Sequence, residues 1–269
     1  MKILHVITEV DTGGAVSLIK KITNGNKNNN IKHIIVSLKK YEVEIQIPNI
    51  QKVYSLDIRL KIQFFIKLFY LIKIIRLERP DIVQTWLYHS DLIGGIAAKL
   101  AGIKNIYWSV LSYSTNSNYV KLSTKIVIYI NALLSYFIPS KIIFCASSSQ
   151  EVHKKIGYCN KKFKFIPIGF NAKTNHIIKE DNQEKKKNFT IGCIARWDPD
   201  KDHNNLFQAL RILDRNNVNY ICELVGPMMT YDNQDLKKLI NTSQIDKSKL
   251  ILKGFVKDLN KIYENLDVC

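Results

Sequence analysis

A run of apolar residues long enough to cross a bilayer is missing from this chain of 269 residues. The most apolar stretches are IQFFIKLFYLIKII, broken by Lys67 and Lys73, and IVIYINALLSYFI, broken by Asn131; both fall short of the roughly 18 residues that a spanning helix needs. Paired cysteines are missing too. Cys145, Cys159, Cys193, Cys222 and Cys269 are odd in number, widely spaced and form no CxxC, which excludes a zinc ribbon or a disulfide framework and leaves small apolar fillers in reducing surroundings. The first residues, MKILHVITEV, pass directly into strand-like text, so a secretory leader is not expected and the chain reads as cytoplasmic. There is no GxGxxG dinucleotide fingerprint, and no interleaving of basic and aromatic residues of the kind that binds nucleic acid.

What is present is an ordinary globular composition, with 46% hydrophobic and 10% aromatic residues, which excludes a disordered or fibrous chain. The formal net charge is +17. Such a field concentrates polyanions, but the lysines are spread along the whole chain among isoleucines and asparagines, as a compositional bias would leave them. A basic surface facing a membrane is the second reading of that charge, and no motif supports nucleic acid.

Short β-branched runs alternate with longer helical patterns, the signature of parallel sheets wrapped by helices. Strands are expected at KILHVIT, IKHIIVSL, KVYSL, DIVQTWL, NIYWSVL, KIIFCAS and KFKFIPI, which closes a first domain at residue 170. Residues 171–188, NAKTNHIIKEDNQEKKKN without Phe170, are polar and aperiodic and read as a linker. The tract NGNKNNN, Asn24 to Asn30, reads as a loop tip. A second series follows over 189–269: strands FTIGCIA, YICELVG and LILKGFV, with helices starting near Asp202, Asp232 and Asp258, each an aspartate suited to a helix start. Asp267, Val268 and Cys269 look like the opening of a fourth strand, so this second domain is expected to be incomplete.

The stretch IARWDPDKDHNNL carries Asp198, Asp200 and Asp202. A calcium loop counted from Asp198 would need glycine at its sixth position and glutamate at its twelfth, where His203 and Ala209 stand, so the metal reading fails. What remains is a strand end, a loop with Arg196 and Lys201, and a helix start near Asp202. A guanidinium fork, an ammonium and free helix N–H groups together suit a diphosphate; the same charges also suit a solvated loop in which an aspartate merely caps.

IARWDPDKDHNNLFQAL resembles the segment that opens the second domain of glycosyltransferases of family 4. MKILHVITEVDTGGAVSLI is similar to that family's first strand and glycine loop, and RPDIVQTWLYHSDLIGGIAAKLAGI to its central strand, histidine loop and following helix. The resemblance implies an α/β architecture of the GT-B kind: two Rossmann-like parallel-sheet domains facing across a cleft, 1–170 on the acceptor side and 189–269 as a partial donor domain. It implies that Gly13 and Gly14 let backbone N–H groups approach a phosphate or acceptor, that His89 lies beside the transferred sugar, and that Arg196 and Lys201 hold the donor diphosphate. A paired DxD holds a manganese-bound nucleotide in another class of sugar transferase, but here it follows a second-domain strand between two cations.

The implied reaction is transfer of a sugar from a nucleotide-diphosphate donor to a polysaccharide or lipid-linked glycan acceptor, with retention of configuration, no metal and no tightly bound cofactor. The partners are then the nucleotide sugar and the acceptor, with peripheral contact at the inner face of the cell membrane and no nucleic acid. Two departures stand out: Ile168 replaces the asparagine of the family's Pro-Asn-Gly, and the glutamate motif that grips the donor lies beyond LDVC. On that ground this chain is expected to bind donor weakly and to turn over little. A non-catalytic module that binds a membrane or a partner, and a sugar-nucleotide epimerase, are the alternatives. The helix in RLKIQFFIKLFYLIKIIRLERPD, with Phe64, Phe65, Ile66, Leu68 and Phe69 nearly encircling it, is expected to be buried on the sheet, its lysines snorkelling; lying on an anionic bilayer is its other reading.

Overall fold

The structure is a computed structural model that describes residues 1–10, 13–25, 30–40, 47, 49–57, 64–111, 120–169 and 189–269. The expected linker and the centre of the asparagine tract lie outside the described residues. The chain divides into two compact units, Met1–Phe170 and Asn171–Cys269.

The first unit runs β1 (Lys2–Ile7), α1 (Gly14–Asn24), β2 (Lys32–Ser37), β3 (Ile50–Ser55), α2 (Phe64–Glu78), β4 (Ile82–Trp86), α3 (Tyr88–Leu100), β5 (Ile106–Val110), α4 (Leu122–Leu134), β6 (Lys141–Phe144), α5 (Ser147–Ile156) and β7 (Phe163–Phe165). The strands form one parallel sheet in the order β3-β2-β1-β4-β5-β6-β7. A strand covered on both faces must be apolar at successive positions, and β1 is: Leu4 and Val6 enter the larger core with Leu71 and Ile75 of α2, Ala97 of α3 and Ile128 of α4. Ile7 faces the other way, with Val16 and Ile19 of α1 and Trp86 of β4.

Helix α3 lies close on the sheet because it has glycines where it crosses. A methyl group on Gly94 would stand 2.9 Å from side-chain atoms of Thr85 and Val6, and one on Gly95 would stand 2.8 Å from the Trp108 indole nitrogen. Glu78, at the end of α2, is buried and anchors that helix to the sheet. It accepts from Tyr54 and from the ammonium groups of Lys52 at 3.0 Å and Lys2 at 3.2 Å. The Tyr54 hydroxyl first, then the two lysines, outweigh burial and hold its carboxyl down at about 2.

The second unit runs β8 (Phe189–Ile194), α6 (His203–Arg215), β9 (Tyr220–Val225), α7 (Gln234–Thr242), β10 (Leu250–Gly254) and α8 (Asn260–Asn265), with the parallel order β10-β9-β8. On the other edge of β8, Val268 makes a parallel bridge to Ile191, and the Gly192 amide donates to the Val268 carbonyl at 2.8 Å.

Four expectations change. KFKFIPI contributes only Phe163–Phe165 to the sheet: Ile166 still donates to the Phe144 carbonyl at 2.9 Å, and Pro167 has no N–H with which to continue. Helix α7 is capped by Asn233 rather than by Asp232, because the Asn233 side chain reaches the amides of Asp235 and Leu236. Helix α2 is only half covered: Leu71, Ile72, Ile74 and Ile75 are buried, whereas Ile66, Phe69 and Leu77 are exposed. Finally, of the five free thiols only Cys159 and Cys222 are buried fillers, and Cys269 is exposed.

Candidate functional site

In parallel α/β sheets ligands gather outside the carboxyl ends of the strands, where the strand order reverses. In the first unit that place is the gap between β1 and β4, and three of the residues singled out in the sequence follow those two strands. Gly13 caps α1 and accepts from the Ser17 amide through its carbonyl, and Gly14 is the first helical residue. Gly13 has an extended backbone (φ 168), and among the described residues a methyl group on either glycine would meet nothing within 4 Å. Neither backbone conformation nor packing among the described residues therefore demands glycine here.

His89 is the second residue of α3 and is half-buried. Burial, and next the charge of Lys39, lower its pKa, so the ring is neutral at pH 7 and can donate from one nitrogen and accept at the other. The residues on either side are fixed. The Tyr88 hydroxyl lies 2.9 Å from His153 Nε2, and since His153 Nδ1 lies 2.7 Å from the Ser149 carbonyl, Nδ1 bears the proton and the tyrosine donates. The Tyr88 carbonyl accepts from Asn131 at 2.8 Å, and Ser90 Oγ lies 3.0 Å from Thr8 Oγ1 at the end of β1. Leu87, the cap of α3, has φ 70, a strained value for a leucine, at the point where the chain leaves β4. His89 is thus presented from a rigid, strained strand-to-helix turn, beside a Lys39–Glu9 ion pair of 2.8 Å.

Under this turn, Asp91 is fully buried, its Oδ1 taking the Thr85 hydroxyl and its Oδ2 having no partner among the described residues. Burial pushes its carboxyl well above the ordinary range, which favours the protonated form. On the other face of the sheet Trp86 Nε1 donates to His5 Nδ1 at 3.2 Å, and His5 Nε2 lies 3.0 Å from His33 Nδ1. Because an indole only donates, His5 must carry its proton on Nε2 and pass it toward His33.

In the second unit a pocket of about 190 Å³ opens at the carboxyl ends of β8, β9 and β10, lined by Ile194, Ala195, Arg196, Gly226, Phe255 and Leu259 among others. Gly226 makes it possible: its φ is +145, and a methyl group on it would stand 2.1 Å from the Ala195 carbonyl oxygen. Arg196 lines the pocket but is not idle, since its Nη2 lies 2.7 Å and its Nε 2.8 Å from Asp198 Oδ2. Asp198 also accepts the Asp200 amide at 3.0 Å and so starts the short 3-10 turn Pro199–Lys201. Burial alone would raise the Asp198 carboxyl; the Asp200 amide and Arg196 outweigh it and hold it below the usual range. Lys201 is exposed at the end of that turn and outside the pocket lining. Asp202 adopts φ 47 and caps α6 through the Asn205 amide at 3.3 Å. His203 turns inward instead, its ring stacked on Trp197 at 4.9 Å.

The structure therefore gathers Gly13, Gly14 and His89 at one end of the first sheet, and Arg196 and Lys201 about Asp198 in the second unit. Sequence reasoning missed Gly226, Phe255 and the Thr8–Ser90 contact. The first two had a signal, a glycine closing each of the strands YICELVG and LILKG; the third had none. No group of three or more His, Cys, Asp or Glu side chains is placed to hold a metal ion among the described residues.

No family model matches the chain. A curated relative, the UDP-Gal:alpha-D-GlcNAc-diphosphoundecaprenol alpha-1,3-galactosyltransferase of Escherichia coli, is 26% identical over 208 residues, 74% of this chain and 53% of its own length. The chain thus spans about half the length of that relative. Among solved structures, Anabaena Alr3699/HepE in complex with UDP and glucose superposes with a TM-score of 0.75 at 18% identity, covering 100% of this chain and 73% of that one. The UDP-GlcNAc 2-epimerase of Methanocaldococcus jannaschii superposes with 0.58 at 14% identity, covering 96% and 74%. These likenesses show the fold, which is GT-B-like with two Rossmann-like parallel-sheet units.

Proposed function

We propose that the chain serves a glycosyltransferase of the family 4 kind, moving a sugar from a uridine diphosphate donor to a glycan or lipid-linked acceptor. The observation that carries the reading is the pocket at the carboxyl ends of β8, β9 and β10, walled by Arg196 and by a strand turn that only glycine at 226 permits. The identity with a galactosyltransferase that acts on a diphosphoundecaprenol-linked sugar, and the likeness to a UDP complex, support uridine diphosphate as donor and a lipid-linked acceptor.

In this reading the donor diphosphate takes up the guanidinium of Arg196, with Lys201 and the amides at the start of α6 supplying further positive charge. As the sugar–phosphate bond breaks, negative charge builds on the leaving diphosphate, and fixed cations stabilise it there without a metal ion. Neutral His89 offers a hydrogen bond to the transferred sugar. Gly13 and Gly14 leave the first amides of α1 open to a phosphate or an acceptor hydroxyl. The acceptor oxygen attacks on the face the diphosphate leaves, so the configuration is retained.

The test is calorimetric titration of UDP, UDP-glucose and UDP-galactose into the chain and into its Arg196→Ala, Lys201→Ala variant. Binding by the parent that the variant loses upholds the donor pocket; binding that survives in the variant, or none by a folded parent, refutes it. An epimerase of the same fold is the weaker reading, as its superposition is poorer; it would interconvert free UDP-sugars with no acceptor present.

A further inference from the structure

We propose that the outer faces of α2 and α4 form a seat for an anionic lipid bilayer. The two helices lie in one layer with α3 between them, all three burying their inner residues in the same core. Packed neighbours sit about 8–10 Å apart, so α2 and α4 run roughly 20 Å from each other on one side of the unit.

What they turn outward is apolar. On α2, Phe69 is 71% exposed and Leu77 70%, while Lys73 and Arg76 lie on the same arc. On α4, Leu122, Ile126, Tyr129 and Leu133 repeat at intervals of four, three and four and so share one stripe; Leu122 is 74% exposed and Leu133 67%. Phe137, in the turn after α4, extends that stripe at 67% exposure. Two apolar ridges on one helical layer exceed the isolated surface residues that a soluble domain ordinarily shows.

The charges choose the occupant. α2 contains one acidic residue, Glu78, and it is buried on Lys2, Lys52 and Tyr54; α4 contains none, and the one on α3, Asp91, is buried. The outward charges of these helices are thus basic: Lys73, Arg76, Lys99 and Lys125, with Lys121 at the cap of α4. A second copy would bring like charge against like charge. An anionic bilayer instead receives apolar ridges into its acyl boundary and basic side chains among its headgroups. No helix among the described residues is long and apolar enough to cross a membrane, so the contact is peripheral. This inference does not rest on the transfer reaction.

The test is co-sedimentation of the full chain with vesicles of phosphatidylcholine alone and of phosphatidylcholine mixed with phosphatidylglycerol, in low and high salt, without nucleotide. The chain should pellet with the mixed vesicles, lose most of that binding in high salt, and bind the neutral ones weakly. A Phe69→Glu, Leu133→Glu variant changes only exposed positions. It should keep the parent's melting midpoint and bind the mixed vesicles about tenfold more weakly, as charge placed on an inserting ridge does. The proposal is overturned if the parent stays in solution with anionic vesicles, or if the variant binds as the parent does. It is overturned equally if light scattering shows a parent dimer that the variant dissociates, because the face then belongs to a second copy. Since nucleotide titration needs no vesicles, each reading can fail without the other.

Discussion

Arg196 and Asp198 form a two-pronged ion pair within a single loop, with Nη2 at 2.7 Å and Nε at 2.8 Å from one carboxylate oxygen. The pair holds the guanidinium of this pocket-lining residue in place on its own loop and also partly neutralises it. Asp198→Asn keeps the oxygen that accepts the Asp200 amide and removes the opposing charge. UDP should then bind several-fold more tightly, whereas Arg196→Ala should weaken it by about tenfold or more, the worth of one charge-assisted hydrogen bond. Calorimetry on both variants checks the two signs together.

Gly226→Ala should cost roughly 3 kcal/mol, because the methyl group meets the Ala195 carbonyl at 2.1 Å and φ +145 is closed to alanine. Urea unfolding, followed through Trp197 fluorescence, measures it. Gly13→Ala is the contrast: with an extended backbone and open space around it, its stability should stay within about 0.5 kcal/mol of the parent. Any loss of ligand affinity in that variant would then report on a ligand's approach to α1.

Asp91 sets a pH dependence of definite sign. Unfolded, it titrates near ~3.9, and burial raises it in the folded state. The folded protein therefore holds the proton longer, and the stability from this group, complete below ~3.9, is lost as pH rises through the folded value. Asp91→Asn removes that loss. The melting midpoint of the variant minus that of the parent should increase as pH rises above ~4, and level off beyond the folded value.

His5 acts in the opposite direction. Burial first, then the charge of His33, lowers its pKa to about 3, against ~6.5 when unfolded. Its contribution is complete above ~6.5 and fades as pH falls toward about 3. In His5→Gln, whose amide can accept from Trp86 and donate to His33, the fall in urea midpoint between pH 7 and pH 4.5 should be smaller than in the parent.

The sequence by itself determined the local pieces. β-branched runs such as KILHVI and YICELV are strands because apolar residues at successive positions suit a sheet covered on both sides. Asp202 caps α6 because its carboxylate needs only an amide three residues on. The Arg196–Asp198 pair is just as local, both partners lying in one loop, yet the sequence pointed Arg196 at a diphosphate and Asp198 at a cap, and their pairing came from the structure.

Tertiary structure alone decided what depends on segments distant in the chain. It placed β1 between β2 and β4, brought Trp86, His5 and His33 into one hydrogen-bonded line, and set Gly226 against Ala195. It also decided which side of an all-round apolar helix is covered: Leu71 and Ile75 meet the sheet while Phe69 and Leu77 face outward. Periodicity could not separate them, since all four are large apolar residues. Only the position of a sheet assembled from distant strands distinguishes the inner arc from the outer one.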